Sequence, residues 1–389
     1  MFNIECRHFL LCILYIVSCI ACSGKKYTAN DGESIFSNQN NLIEDIRLAD
    51  AYVEEPVVLE NICWKTTDFD YQNAGISMKS YPKINKSEYK KYFARKGSLD
   101  FYLHPIICEN VVYDVKNDAE IVAYTLENGK VKKKWSNDTL TFQEKKNILV
   151  ANARLEDDIL YISTSNGFLL AFDIDKKEII WKKKFDAIFS SSPSINDDNI
   201  YITSTNNELF AVNKYNGKIE WNIKDKKTTV SSFQTAPVAI FNDKVVSCFS
   251  NGEIMVAKTN GDILWKNKVL SANGVLDDNM DIDFPPILVG NVLVVGGNNT
   301  SVMGFDFKTG QPLWQIPTGL NSFMLYNQNG FGFFVNNNNE NICFYTQNGA
   351  IKYIKPNTRY KITNLPGYLN NGKNVKIQTI NRYFDAYYE

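Results

Sequence analysis

"NKYNGKIEW" (residues 213–221) couples a turn signal, Asn-Gly, to a tryptophan four positions after the glycine. The same frame returns as "AKTNGDILW" (257–265), as "DFKTGQPLW" (306–314) and, ending on Tyr353, as "YTQNGAIKY" (345–353). Asn-Gly and Thr-Gly pairs supply the positive φ angles that tight hairpins demand. Each frame is therefore read as the closing hairpin of a repeated unit, and repeats must be settled before domains are counted.

The residues ahead of each frame keep one order: a proline-marked strand, an apolar strand, an Asn or Gly turn, a third strand, a second turn, and a fourth strand bearing tryptophan. One copy reads SSPSIN, NIYITS, TNNE, LFAVN, KYNG, KIEW; the next TAPVAIF, KVVSCF, SNGE, IMVAK, TNG, DILW; the next FPPILV, VLVVGG, NNTS, VMGFDF, KTG, QPLW. An earlier copy, ILYISTSNGFLLAFDIDKKEIIW, has Lys177 where the others place glycine. The first, HPIICENVVYDVKNDAEIVAYTLENGKVKKKW, carries two extra residues between Gly129 and Trp135, and the sixth, GFGFFVNNNNENICFYTQNGAIKY, ends on Tyr353.

Trp135, Trp181, Trp221, Trp265 and Trp314 are separated by 46, 40, 44 and 49 residues. Four short strands per such period predict an all-β fold, a β-propeller of four-stranded antiparallel blades. A helical solenoid is excluded, because the repeats lack a 3.6-residue period and are broken by Gly and Asn every eight to ten residues. Strands such as VLVV, LYIS and LFAV are apolar on both faces, as expected where each sheet is packed between two neighbours.

After the sixth copy, NLPGYLN, NVKIQTI and RYFDAYYE read as three strands without a fourth, while ENICWKTTDFD, around Trp64, is a tryptophan strand without a blade. Placing the Trp64 strand on the outer edge of the final sheet completes it and closes the ring, giving seven blades. The insertion between Trp64 and His104 reads as a loop with a helical turn.

The first residues are a different material. FLLCILYIVSCIA is an apolar run of thirteen, too short to span a membrane as a mature helix and the right size for a secretion-signal core. It resembles a bacterial lipoprotein signal, with two candidate lipid-accepting cysteines. Cys19 fits the aliphatic, small, Cys order; Cys22 is followed by the polar SGKK. The expected organisation is a signal peptide over 1–18 (to 21 if Cys22 is the acceptor), a polar, flexible tether over 19–58 and a propeller over 59–389. Of the remaining cysteines, Cys63, Cys108, Cys248 and Cys343 are far apart and form no CxxC pair, so they read as small buried hydrophobes rather than metal or redox groups.

Forty-two Lys and Arg against forty-three Asp and Glu leave a formal charge of −1, which favours neither nucleic acid nor an anionic membrane surface. The clusters KVKKKW, WKKKF and KDKK flank outer strands, where charge beside unpaired backbone groups discourages sheet-to-sheet aggregation. No P-loop, GxSxG or HExxH motif is present. His104 is the only histidine past the signal region, and the carboxylate clusters LEDD, NDDN and LDDNMDID have no calcium-loop spacing. The residues therefore predict no catalytic, cofactor-binding or metal-binding site.

The tryptophan-ended frame resembles the repeat of the quinoprotein, or PQQ-like, propellers. Within them the first copy, with its His-Pro start and NVVY strand, and DIDFPPILVGNVLVVGG (281–297) are similar to the BamB-like outer-membrane assembly lipoproteins. That resemblance implies a non-enzymatic scaffold on the periplasmic side of the outer membrane, held there by its lipid anchor. It would bind the barrel-forming subunit of the β-barrel assembly machinery and, as a second class of partner, unfolded outer-membrane proteins. It also implies eight blades rather than seven, and a partner contact through an acidic pair matched by Asp281 and Asp283. The second half of that contact, a Leu- and Arg-bearing loop, is matched only by KTTVSSFQTAP, which has neither residue. Two alternatives stand beside this reading: a quinoprotein (PQQ) dehydrogenase, which would need a calcium site and, in many members, an adjacent cysteine pair absent past the signal region, and a propeller lipoprotein with another envelope partner.

Overall fold

The structure, a computed structural model, describes residues 42–53, 65–66 and 106–356, apart from short stretches at 109, 128–129, 227–234, 273–279, 322–323 and 327–328. Outside these it describes the strands β1 (Val58–Leu59), β2 (Ser77–Met78), β27 (Tyr368–Asn370) and β28 (Val375–Ile377). Residues 106–356 form six four-stranded antiparallel sheets in chain order. Blade 1 is β3 (Ile106–Cys108), β4 (Val111–Val115), β5 (Glu120–Glu127) and β6 (Lys130–Asp138); blade 2 is β7 (Ala151–Glu156), β8 (Ile159–Thr164), β9 (Phe168–Asp173) and β10 (Glu178–Lys184). Blade 3 is β11 (Ser194–Ile195), β12 (Asn199–Ser204), β13 (Glu208–Asn213) and β14 (Ile219–Lys224); blade 4 is β15 (Ala239–Phe241), β16 (Lys244–Cys248), β17 (Glu253–Lys258) and β18 (Ile263–Lys268). Blade 5 is β19 (Ile287–Val289), β20 (Val292–Val295), β21 (Val302–Asp306) and β22 (Pro312–Ile316); blade 6 is β23 (Leu325–Tyr326), β24 (Phe331–Val335), β25 (Glu340–Tyr345) and β26 (Ile351–Pro356). The six copies expected from the repeat are these six blades. In blade 2, whose first strand carries no proline signal, that strand is Ala151–Glu156.

The two-faced apolar pattern has its cause in the stacking of blades. Along β9, Leu170 and Phe172 enter a core shared with blade 1, while Leu169 and Ala171 enter one shared with blade 3. Along β13, Phe210 and Val212 face blade 2, and Leu209 and Ala211 face blade 4. Alternate side chains of a strand point to opposite faces, so a strand with a neighbour on each side must be apolar throughout. Two further cores fill the spaces between blades 4 and 5 and between blades 5 and 6.

The tryptophans lock successive blades. Trp181, Trp221, Trp265 and Trp314 each donate Nε1–H to a backbone carbonyl of the next blade: Lys214 O at 2.7 Å, Thr259 O at 3.0 Å, Phe307 O at 3.0 Å and Thr346 O at 2.9 Å. Each indole also lies on the turn glycine of that next blade, respectively Gly217, Gly261, Gly310 and Gly349. These glycines have φ between +70° and +97°, and a Cβ at any of them would stand 2.6–3.1 Å from the ring. The glycine thus does two jobs: it adopts the left-handed turn and clears a seat for the preceding blade's tryptophan. At the corresponding turn of blade 2, Lys177 adopts φ +59° itself. In every blade the fourth strand is bulged one residue before this aromatic, at Lys134, Ile180, Glu220, Leu264, Leu313 and Lys352. Tyr353 takes the tryptophan's place in blade 6 and is half-buried.

Polar groups link neighbouring blades as well. Ser163 Oγ donates to Ser191 O at 2.8 Å, Ser192 Oγ donates to Ala153 O at 3.1 Å, and Thr203 and Ser247 share a hydroxyl hydrogen bond of 2.7 Å. Asn207 Oδ1 accepts from the amide and hydroxyl of Ser250, and Lys266 of blade 4 bridges its own Glu253 to Asp225 at the end of blade 3.

Three findings differ from expectation. Cys108 is disulfide-bonded, so it is not a lone buried thiol. Cys248 and Cys343 are buried thiols as expected, and burial pushes the Cys343 thiol up to about 12. Trp64 lies outside the described residues, but Lys65 and Thr66, which follow it, lie along β7 of blade 2: Thr66 is bridged to Arg154, and Leu155 N–H donates to Lys65 O at 2.7 Å. Those two residues are therefore not on the final sheet. Of the three strands expected after blade 6, the first two coincide with β27 and β28, which pair antiparallel, and RYFDAYYE lies outside the described residues. Finally, residues 42–49, expected as tether, lie against the outer edge of blade 6, where Glu44 is bridged in parallel to Ile351.

Candidate functional site

The sequence "MDIDFPP" (280–286) leads into blade 5. Met280 is bridged in parallel to Asn251 in the β16–β17 turn, and its side chain sits over Gly252, where a Cβ would be 2.9 Å away. Ile282 is buried in the core between blades 4 and 5. Met280 and Ile282 are buried while Asp281 and Asp283 are half-buried, the alternation an extended segment imposes, so the two carboxylates fall on the same side.

Both aspartates meet the β20–β21 turn of blade 5. Asn298 N–H donates to Asp283 Oδ1 at 3.1 Å. Gly297 lets the segment approach so closely that a Cβ there would lie 2.1 Å from Asp281 O and 2.7 Å from Asp283 Oδ1. Asn298 passes the link on, its carbonyl accepting from Asn337 Nδ2 of blade 6 at 2.6 Å. Burial pushes the Asp283 carboxyl up to about 6; the charge of Asp281 adds to this and the Asn298 amide opposes it. The arrangement is a pair of acidic groups on a turn-pinned segment, suited to receive a cationic or amide-rich partner surface.

The structure thus brings Asp281 and Asp283 together, and it adds a structural duty for Asp283 that spacing alone did not reveal. Of the loop before blade 4, residues 227–234 lie outside the described residues; its last part is anchored through Thr235, whose hydroxyl shares hydrogen bonds with Ser190 and Ser191. Cys19 and Cys22 lie outside the described residues as well. The sequence reading missed Arg154, fully buried on β7 and ion-paired with Glu156 at 3.5 Å, with Lys65 on the same carboxylate group at 3.3 Å. Its only signal was an arginine between the apolar Ala153 and Leu155 of a strand.

Four-stranded blades with tryptophans seated on the next blade's turn define the chain as a PQQ-type β-propeller. The profile of the family described as "Outer membrane protein assembly factor BamB" matches residues 118–355, more than half of the chain, and the chain belongs to this family. Outer membrane protein assembly factor BamB of Yersinia pestis is 23% identical over 275 residues, covering 66% of this chain and 69% of the relative. That of Salmonella typhimurium is 23% identical over 265 residues, 66% of each. The crystal structure of BamB from Moraxella catarrhalis superposes with a TM-score of 0.56 at 16% identity, covering 67% of this chain and 77% of that one, a likeness of fold.

Proposed function

We propose that the protein is a non-enzymatic scaffold lipoprotein of outer-membrane β-barrel assembly. It is anchored in the outer membrane through Cys19 or Cys22, faces the periplasm, and docks the barrel-forming subunit through Asp281 and Asp283. The family match carries the assembly role, because it spans the blades on both sides of the carboxylate pair. The disulfide at Cys108 supports export to an oxidising compartment. A scaffold role is further supported by the commitment of polar side chains to hydrogen bonds between blades, as Ser163 Oγ to the Ser191 carbonyl and Thr203 with Ser247.

Co-purification from the native envelope tests the docking. Barrel-assembly components are expected with the wild-type chain, with at least tenfold less recovered with Asp281→Ala. Undiminished recovery with that variant would remove the acidic pair from the interface, and absence of those components from the wild-type eluate would remove the assembly role. Mass spectrometry of the mature N-terminus tests the anchor: acylated Cys19 or Cys22 is expected, and a free terminus refutes it.

A further inference from the structure

We propose that the outer edge of blade 6 is a strand-acceptor site for an extended peptide segment bearing a carboxylate, and that residues 42–49 of the same chain occupy it in cis as a displaceable guard. Every polar link that holds the segment is one a foreign chain could reproduce. Asp45 N–H donates to Ile351 O at 2.6 Å, and Ile354 N–H donates to Glu44 Oε1 at 2.7 Å. Lys352, the bulged residue of β26, donates Nζ to Leu48 O at 2.6 Å and Ala49 O at 3.1 Å. The bulge is what turns these groups outward: an extra residue leaves part of the ladder unpaired, and an edge with unpaired backbone groups accepts another strand. The acceptor is basic through Lys352 and Lys355, complementary to a carboxylate-bearing strand.

The guard is held lightly. None of the three residues of its 3-10 turn, Ile46–Leu48, is buried, and Ile43, Ile46 and Tyr52 are 65%, 86% and 76% exposed. Leu42 packs against the core between blades 5 and 6. Asp45 spends its side chain on Arg47 within the turn rather than on the blade. A groove of about 480 Å³ remains between the guard and the strand ends of blades 5 and 6, bounded by Ile43, Arg47, Pro317 and Asn348. Blade 6 has four strands of its own, and Leu42 is the one guard residue packed on its core, so removal of the guard opens an edge rather than removing a strand of the sheet.

The edge chemistry stands apart from the assembly role, and so does its test. The probe is a fluorescein-labelled peptide of the guard's own sequence, NLIEDIRLAD, titrated into the full chain. A guard tethered in cis competes at an effective concentration of about millimolar, so the wild type is expected to bind the probe weakly. Asp45→Pro with Glu44→Ala removes the Asp45 amide and Glu44 carboxylate links without touching the blade, leaving only the Lys352 contacts to Leu48 O and Ala49 O, and φ −84° at Asp45 is close to proline's own value. This double variant is expected to bind the probe about tenfold more tightly, and adding Lys352→Met should reverse the gain. Hydrogen exchange supplies the second readout: the Ile354 amide should lose protection in the double variant and regain it with probe. A double variant that melts as the wild type does yet binds no better, or that keeps Ile354 protected without probe, overturns the proposal.

Discussion

Replacing Asp283 by Asn should stabilise the protein above pH 6 and have little effect near pH 4. The carboxyl has a folded-state pKa of about 6 against an ordinary value of 3.8, with burial the main cause. A folded pKa above the unfolded one means that the native state holds the proton more tightly. The favourable contribution is thus complete below about pH 4 and is lost as pH rises through 6. A difference of about two units corresponds to at most about 3 kcal/mol, at about 1.4 kcal/mol per unit. Asp283 is half-buried rather than sealed, so solvent screening cuts this to about 1–2 kcal/mol. Asparagine keeps an oxygen to accept the Asn298 amide and carries no charge to desolvate. Urea denaturation of wild type and Asp283→Asn at pH 4, 6 and 8 is the assay. The expected gap opens with pH, mostly between 4 and 6.5, and is carried by the midpoint at constant slope. A gap of equal size at all three values would mean that ionisation of Asp283 does not limit stability and would refute the reasoning. If the proposed docking holds, the same variant loses partner binding while gaining stability, the exchange expected where a functional site retains a costly charge.

Other outcomes follow from the interlocks. Gly310→Ala should destabilise more than Gly261→Ala, because the added Cβ would meet the indole at 2.6 Å rather than 3.1 Å; thermal melts should rank them so, with costs of about 1–3 kcal/mol from strain at positive φ. Trp265→Phe should lose about 1–3 kcal/mol from the unpaired Phe307 carbonyl in addition to lost packing, whereas Trp221→Phe, at a half-buried site, should lose less in the same denaturation assay. Lys177→Gly should stabilise by about 0.5–1 kcal/mol, since Lys177 adopts a left-handed turn that glycine enters freely; a lower melting temperature would show that its side chain matters more than its backbone.

Much of the blade structure was legible because the information is local. The turn at Gly217 illustrates it: the Tyr-Asn-Gly of 215–217 dictates a left-handed conformation at the glycine, and the unbroken apolar run in LFAVN dictates a strand with two dry faces. The acidic pair was legible as a motif. Its pinning by Asn298 was not, because the amide stands fifteen residues away and joins Asp283 only when the β20–β21 turn folds back. The Lys65–Glu156 pair escaped for the same reason: its two residues stand 91 positions apart, and no spacing rule connects them. The segment 42–53 read as tether because it lies within a polar stretch, and the polarity of its surroundings cannot distinguish a free chain from one seated by backbone hydrogen bonds on an exposed edge.

By itself the sequence determined the repeat, the four-strand blade and the glycine and tryptophan that recur through its copies, because turn conformation and two-faced burial are set by residues within a few positions of one another. Only the tertiary structure decided which glycine serves which tryptophan. Within "NKYNGKIEW", Gly217 receives Trp181 from the blade before, and Trp221 goes to Gly261 in the blade after. The lock runs between copies some forty residues apart, and stacking in space, not adjacency in the chain, brings its two halves together.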